Sequence, residues 1–408
     1  MAYIPPHKRQ TKGSPSPKPT PAPESLVPSL RKNLNIKSFG EQKRKQKYLG
    51  GKNIVYANDA VSKWFAVGLA DNSQFSSLVR LQPFPAESFE RKSGQNPHSL
   101  VLIEGCSEST TEFEDKAWSL VEENVKQDLL LSFQRVKYEM EAAYDMAKVK
   151  PALVARFGKI LFYGSSSICQ ESLKSNPFGE STFTQMKKTL YTNIPPSYVE
   201  FMENLVVEEL GLEYVQEKEL YYLALVDKLL PDSTISCKCV VAKDLKKIQL
   251  HKIELSPVRH MVVDMSCVGK SLDLRLLLCT KKIIALSDEE TNGIKDLVGS
   301  AILDPDVKGG LRWPFGKDSS VCRYDVIRVD HTIAKSYRNQ SIRFKLRHAD
   351  RFDFRYSTGE VAREIFLKMP GIISQLRKQT VEENVLLKML EENLKLIWNH
   401  CLLDGSSS

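Results

Sequence analysis

The stretch of sequence that decides the fold is residues 219–279, ELYYLALVDKLLPDSTISCKCVVAKDLKKIQLHKIELSPVRHMVVDMSCVGKSLDLRLLLC. Its apolar runs are rich in Val, Ile, Leu and Tyr, and they are broken at Pro231-Asp232, Lys243-Asp244 and Ser256-Pro257. Short runs of this kind between turn-forming residues are typical of strands joined by tight turns. The stretch therefore predicts an antiparallel meander.

Helical patterns lie on both sides of this meander. From Glu112 to Lys148 apolar residues recur every three or four positions, which places them on one face of a long helix. Ser287 with Glu290, and Thr380 with Glu383, have the spacing of a capping box at a helix start. We therefore predict an α+β fold with mixed, largely antiparallel sheets packed with a few long helices.

The first 52 residues differ in composition from the rest of the chain. They hold twelve Lys and Arg and two acidic residues, a charge of +10, which leaves −2 for the remainder. Eight of the twenty prolines lie before residue 31, and so polar a segment buries too little apolar surface to fold. We predict a disordered basic tail at 1–52, followed by α+β domains at 53–215 and 216–403 or by one continuous body.

Cysteine usage and the N-terminus indicate the compartment. The eight cysteines form no dense framework, and residues 1–6 have neither a charged nor an apolar signal-peptide region. No apolar run approaches the roughly 18 residues of a membrane span. We predict reduced thiols, a cytoplasmic or nuclear location and no membrane association. A transit peptide is the alternative, which Pro5, Pro6 and the excess of Lys over Arg disfavour.

The segment VGKS at 268–271 is similar to the end of a phosphate-binding P-loop. That motif requires a glycine where this chain has Asp264, whose carboxylate would repel phosphate. A hairpin turn between two strands is the better interpretation.

Cys237, Cys239, His251 and His260 are the residue types of a zinc site. A one-residue gap places both thiols on the same face of a strand, and the histidine spacing matches no familiar zinc finger. Buried strand cysteines are the favoured interpretation. We predict no metal site, no cofactor and no catalytic residue.

Two segments of the body are candidate binding surfaces. The loop at 304–316 places Trp313 near Lys308 and Arg312, a combination that stacks on bases or anchors a peptide when exposed. The alternative is that Trp313 folds back over the edge of the core. In the second segment, residues 341–347, apolar and basic residues alternate, so that one face of the strand carries three cations. These cations either follow a phosphate backbone or form an ion-paired face. These cations are Arg343, Lys345 and Arg347.

Within the tail, three groups of residues are candidate sites. The basic cluster resembles a nuclear import signal and could contact phosphates without sequence preference; it comprises Lys43, Arg44, Lys45 and Lys47. Three hydroxyls precede prolines and are candidate phosphorylation sites: Ser14, Ser16 and Thr20. The third group is a short motif at the N-terminus, made of Tyr3, Pro5, Pro6, His7 and Arg9.

Several segments together resemble a family of uncharacterised plant proteins. They are MAYIPPHKR (1–9), SKWFAVG (62–68), VARFGKI (154–160), LDPDVKGGLRWP (303–314) and RHADRFDFR (347–355). The family is a domain of unknown function, so the resemblance implies no activity. Locally, the N-terminal motif is similar to the YIPPHLR segment of DEAD-box RNA helicases, which implies that the tail works near mRNA.

These observations lead to a functional hypothesis. We predict a non-enzymatic protein that associates with RNA or ribonucleoprotein through its basic tail, with RNA or an mRNA-associated protein as partner. A protein–protein adaptor with a proline-rich tail is the first alternative. An enzyme with dispersed catalytic residues and no recognisable motif is the second, which a deep pocket of converging polar groups would favour. The oligomeric state is open.

Overall fold

The computed structural model describes residues 54–68, 79–103, 114–142, 149–164, 180–242, 247–313, 323–378 and 380–404. Its strands are β1 (Val55–Val67), β2 (Val79–Pro83), β3 (His98–Leu102), β4 (Val149–Tyr163), β5 (Lys187–Tyr191), β6 (Glu213–Asp227), β7 (Leu230–Val241), β8 (Ile248–Leu255), β9 (Val258–Cys267), β10 (Asp273–Lys282), β11 (Ile302–Leu303), β12 (Leu311–Arg312), β13 (Tyr324–Arg338), β14 (Arg343–Asp353) and β15 (Thr358–Lys368).

Seven helices accompany these strands in the described residues. They are α1 (Glu87–Ser93), α2 (Glu114–Ala142), α3 (Glu180–Gln185), α4 (Pro196–Phe201, continued by the π-helical turn Met202–Val206 and by Val207–Glu209), α5 (Asp288–Gly299), α6 (Pro370–Leu376) and α7 (Glu383–Leu396, continued by the π-helical turn Ile397–Cys401). The residues of the predicted tail, 1–52, lie outside the described ranges.

Thirteen strands form one mixed sheet. Its main path runs β1-β9-β10-β4-β15-β14-β13-β6-β7-β8, with β2, β3 and β5 attached beside β4. The β1–β9 pair is parallel, and the other pairs on the path are antiparallel. The meander prediction is confirmed for β6-β7-β8 and for the β9–β10 hairpin at Gly269, whose φ is +81°. It is wrong at Ser256-Pro257, where the chain crosses to the other end of the sheet.

The sheet curls until β8 approaches β10. Glu254 of β8 forms a bridge with Ile283, directly after β10, and the Ile284 N–H donates to the Ile253 carbonyl at 3.3 Å. Eight strands, β10-β4-β15-β14-β13-β6-β7-β8, therefore surround an interior space. Strand twist makes such closure possible, and closure places alternate side chains inside.

The apolar side chains pack on the outer face of this wall. Helices α2, α4, α6 and α7 contribute to the largest core cluster, in which Val125, Leu129 and Phe133 of α2 are almost completely buried. Helix α5 covers β6, β7 and β8 with Ile294, whose cluster is separate. The helices therefore support the sheet from outside and leave its inner face to polar residues.

The predicted fold class is wrong in its weighting of helix and sheet. The structure is 50% strand and 28% helical, with a single large mixed sheet and mostly short helices. The Ser287–Glu290 capping box is present, but α7 begins without a side-chain cap at Thr380. The proportion of strand to helix depends on pairing between segments that are distant in the sequence, and capping signals at helix ends do not indicate such pairing. None of the described helices is both long and apolar enough to cross a bilayer.

Candidate active site: a basic channel

The alternation of β14 places charge on the inner face of the sheet. Phe344 and Leu346 are buried in the outer core, with 0% and 5% of their surface exposed. Arg343, Lys345 and Arg347 point the other way, into the space enclosed by the eight strands. The structure therefore brings together the three strand cations singled out from the sequence.

The enclosed space is a channel of about 1620 Å³. Sixteen lysines and arginines line it, against six aspartates and glutamates. The body carries a net charge of −2 as a whole, so the excess of positive charge in the channel is balanced by an excess of negative charge elsewhere in the body. A positively lined cleft between low-dielectric walls attracts anions strongly.

Three arginines converge on one carboxylate to form the arginine cluster. Glu364 of β15 is 1% exposed. It accepts from Arg347 Nε at 2.7 Å, from Arg156 Nη2 at 3.0 Å and from Arg351 Nη2 at 2.6 Å. The Thr192 hydroxyl also donates to it, at 2.8 Å. Three cations around one anion leave two formal positive charges facing the channel.

Burial and charge act in opposite directions on this cluster. Burial alone would raise the pKa of Glu364, but Arg347, Arg351 and Arg156 hold it well below its usual value. Burial also lowers the pKa of Arg156 to about 10, although Glu364 offsets part of that effect. The carboxylate is therefore ionised at any physiological pH, and it holds the guanidinium planes in place.

Beside it lies a group of lysines with little compensating charge, the lysine cluster. It consists of Lys238 of β7, Lys281 of β10, Lys345 of β14 and Lys368 of β15. Among the described residues, no carboxylate comes within ion-pair distance of Lys238, Lys345 or Lys368. Among the described residues, three of the four ammonium groups of this cluster therefore lack a carboxylate partner, and Lys281 has Glu254 at 3.7 Å.

The lysine cluster perturbs its own titration. Burial, together with the positive charges of Arg347, Lys368, Lys238 and Lys281, lowers the pKa of Lys345 to about 8. Burial likewise lowers the pKa of Lys368 and of Lys238. Perturbed pKa values gathered in a deep cleft are a feature of functional sites.

Glu254 of β8 lies at the edge of the lysine cluster. It pairs with Lys252, and its second oxygen is 3.7 Å from Lys281 Nζ. Burial would raise its pKa, but Lys252, Lys281 and Lys238 together lower it. Two further channel acids are held by arginines two residues away in the sequence, Asp330 by Arg328 on β13 and Asp353 by Arg355 in the turn after β14.

The loop that the sequence singled out lies away from this channel. The Trp313 indole N–H donates to the Leu297 carbonyl at 3.1 Å, and its ring meets Phe354 edge to face on the core cluster of α5. Arg312 is exposed and pairs with Asp304 at 3.0 Å, and Lys308 is exposed as well. Trp313 therefore covers the edge of a core, which was the alternative interpretation.

The other sequence candidates have separate outcomes. Cys237 and Cys239 are buried, and burial raises the pKa of Cys239 to about 12. The described residues contain no group of three or more His, Cys, Asp or Glu placed to hold a metal ion. The tail residues lie outside the described part of the chain and stay predictions; they are Tyr3, Pro5, Pro6, His7, Arg9, Ser14, Ser16, Thr20, Lys43, Arg44, Lys45 and Lys47.

Sequence reasoning missed most of the channel. Its missed members include Arg156, Lys238, Lys281, Arg351, Glu364 and Lys368. A signal existed for three of them, because Arg156, Lys238 and Lys368 each stand between two apolar residues in the sequence. The sequence could not reveal that these separate strands surround one space.

Comparisons of this chain with known proteins show its family. A model of the DUF7903 family, a domain of unknown function, matches residues 49–401. The chain belongs to this family. No curated protein matches the sequence significantly. The plant origin of DUF7903 and the helicase likeness of the N-terminal motif stay predictions.

Several solved structures resemble this DUF7903 chain at low identity. The Pct1 RNA triphosphatase of S. pombe is 10% identical, with a TM-score of 0.43 over 69% of this chain and 93% of its own; it was also solved in complex with the Spt5 CTD. The Mimivirus capping enzyme triphosphatase is 7% identical, with a TM-score of 0.29 over 66% and 95%. The PH1012 protein of Pyrococcus horikoshii OT3 is 8% identical, with a TM-score of 0.24 over 53% and 89%.

These findings correct the functional prediction. The non-enzymatic RNA-associated protein and its adaptor alternative are contradicted, as is the prediction that the chain is not an enzyme, because polar groups converge in a deep channel. The error arose because a net charge of −2 made the body look balanced. Net charge is a sum, and it does not report that cations lie inside. With all TM-scores below 0.5, the channel alone carries the argument about chemistry.

Proposed function

We propose that this protein is an enzyme that hydrolyses a phosphoanhydride bond in an oligophosphate-bearing substrate held in the basic channel. The observation that carries this proposal is the excess of sixteen basic over six acidic side chains around one enclosed space. Phosphate chains are the biological anions of highest charge density, and Lys and Arg are their usual protein ligands.

The two clusters have complementary roles in this proposal. The arginine cluster presents guanidinium groups that Glu364 already orients, so little entropy is lost when they contact phosphate oxygens. The lysine cluster supplies compact positive charge where negative charge develops on the transferred and leaving phosphates. Fixed cations of this kind stabilise a transition state without reorganising.

Lys345 is the residue that we expect to donate a proton. Its pKa of about 8 lies close to physiological pH, so the amine is mostly protonated. The resulting ammonium is a stronger acid than that of an ordinary lysine. When water attacks phosphorus and the P–O bond to the leaving phosphate breaks, Lys345 can transfer its proton to the departing oxygen.

The experiment is a phosphate-release assay on the full chain. Inorganic tripolyphosphate, ATP and RNA with a 5′-triphosphate are supplied as substrates, each with Mg²⁺ and with EDTA, because each of them carries a chain of three phosphates. Phosphate release is expected from at least one of them. The double variant Lys345→Met, Lys368→Met should lose at least about tenfold in rate.

The matched control is Lys388→Met, which removes a lysine from the exposed surface of α7. It should retain the wild-type rate. Absence of phosphate release from all three substrates, both with Mg²⁺ and with EDTA, would overturn the proposal. We further propose a cytoplasmic or nuclear location, which fluorescence microscopy of the tagged full chain tests.

A further inference from the structure

Enzymes of phosphoryl transfer commonly use Mg²⁺ to neutralise their substrate. That ion demands near-octahedral oxygen coordination and is usually bound by one or two carboxylates together with substrate phosphates. A channel that used Mg²⁺ would therefore need carboxylates free to turn toward the ligand. Six acidic side chains line this channel and are the candidates for such a role.

The channel's acidic side chains are largely occupied by protein cations. Four of the six pair with Lys or Arg: Glu254, Asp330, Asp353 and Glu364. Glu364, the most buried of them, already receives three guanidinium groups. Turning Glu254, Asp353 or Glu364 toward a metal ion would leave a cation in the wall without its partner, which is costly in a buried site. Of the four, Asp330 keeps one oxygen that has no hydrogen-bond partner among the described residues.

The lysine cluster offers the reverse arrangement. Lys238, Lys345 and Lys368 have no described carboxylate partner, and each ammonium can donate up to three hydrogen bonds. With the two uncompensated charges of the arginine cluster, the wall already provides the positive charge that a metal ion would bring. A tripolyphosphate, which carries about four negative charges near neutral pH, matches it.

We propose that the channel binds its phosphate chain as the metal-free anion, with the lysine cluster in the place that a divalent cation takes in other phosphoryl-transfer sites. This inference rests on the proposed function and adds to it the ionic form of the ligand. It assigns Lys238, Lys345 and Lys368 as direct ligands of phosphate oxygens, and Glu254 as a charge partner of lysines.

The test is isothermal titration of the full chain with sodium tripolyphosphate in EDTA, repeated with excess MgCl₂. Binding in EDTA is expected, and Mg²⁺ should weaken it by about fivefold or more, because the complexed ligand presents less charge to the lysines. Phosphate release, if it occurs, should persist in EDTA. Binding that appears only when Mg²⁺ is added would overturn the inference.

The failure of this inference and that of the proposed function give different results. If tripolyphosphate binds and is hydrolysed only with Mg²⁺, the proposed function is supported, and the inference that the ligand binds without a metal ion is contradicted. If tripolyphosphate, ATP and triphosphorylated RNA neither bind nor react under either condition, both are overturned.

A variant of Glu254 provides a second, independent readout. If Glu254 only pairs with Lys252 and Lys281, Glu254→Gln frees positive charge and should tighten tripolyphosphate binding in EDTA by about twofold or more. If Glu254 were a metal ligand, the variant would lose Mg²⁺-dependent binding, which would contradict the inference. Glu392→Gln on the exposed face of α7 is the matched control, and thermal unfolding verifies that both variants fold.

Discussion

The arginine cluster and the lysine cluster lie side by side in the channel, yet they hold positive charge in different ways. Lys345 and Arg347 are two residues apart on β14 and face the same interior. Opposite Arg347 on β15 is Glu364, whereas opposite Lys345 is Phe366. The aromatic ring contacts the guanidinium groups of Arg156 and Arg347, at 5.0 and 4.8 Å, and offers the Lys345 ammonium no carboxylate.

This difference separates charge that stabilises the fold from charge that is kept for a ligand. A buried cation with a well-bonded partner is part of the folded structure, and removing the partner is strongly destabilising. A partly buried cation without one destabilises the empty protein and gains its partner only when an anion binds. Sites of this kind are expected to trade stability for function.

The largest effect is expected from breaking the arginine cluster. Glu364→Ala leaves three partly buried guanidinium groups around an empty position and should lower the free energy of unfolding by about 4 kcal/mol. Urea denaturation measures it. Glu392→Ala, at an exposed ion pair, is the control and should change stability by less than about 0.5 kcal/mol. Equal effects of the two substitutions would contradict the proposed contrast.

A substitution in the lysine cluster is expected to raise the free energy of unfolding, whereas one in the arginine cluster lowers it. Lys345→Met removes an uncompensated cation and keeps most of the side-chain volume, so the free energy of unfolding should rise by about 1 kcal/mol. Tripolyphosphate affinity should fall about tenfold in the same variant. Urea denaturation and titration calorimetry give the two numbers. A variant that is both less stable and unchanged in affinity would show that Lys345 is structural.

The clusters should also differ in their response to pH. The pKa of Lys345 is about 8 in the folded chain and near its ordinary 10.5 when unfolded, so between these values the unfolded state binds more protons. Stability should therefore rise with pH across that interval. Tripolyphosphate affinity should fall about threefold from pH 7 to pH 9, as Lys345 loses charge beside Lys238, Lys281, Lys368 and Arg347.

Calorimetric titrations at the two pH values test this prediction. Lys345→Met should reduce the pH dependence, since the guanidinium groups of the arginine cluster stay charged throughout. An affinity that is flat from pH 7 to pH 9 in the wild type would mean that Lys345 does not contact the ligand.

The smallest effect is expected at the loop near Trp313. Arg312→Ala removes an exposed cation whose partner is Asp304, outside the channel. It should change tripolyphosphate affinity by less than about twofold, because exposed charges at a distance are screened by salt. The measurement is the same titration at physiological ionic strength. A loss of affinity comparable with that of Lys345→Met would indicate that tripolyphosphate binds at the loop and not in the channel.

Much of the local structure could be predicted. The alternation around Phe344 and Leu346 placed Arg343, Lys345 and Arg347 on one face, and the apolar stripe predicted a long helix where α2 lies. The lysine that separates Cys237 from Cys239 belongs by the same rule to the face opposite the thiols. Period-two patterns report which residues share a face, since side-chain direction in a strand is a local property.

The candidate site itself could not be predicted. Arg156, Arg347, Arg351 and Glu364 come from β4, β14 and β15, and Glu364 is 208 residues from Arg156. Their meeting depends on the order of strands and on register. Neither strand order nor register can be predicted from the sequence of one strand, because both depend on the packing of the whole sheet.

The sequence by itself determined the total charge, the division into a basic leading segment and a nearly neutral body, and the face on which each strand carries its cations. Only the tertiary structure decided that those faces point inward, because the sheet curls until β8 meets β10 and turns a row of surface charges into the lining of a channel. Charge on a flat sheet would be solvated and screened, whereas the same charge inside a closed wall is partly desolvated and acts on whatever enters.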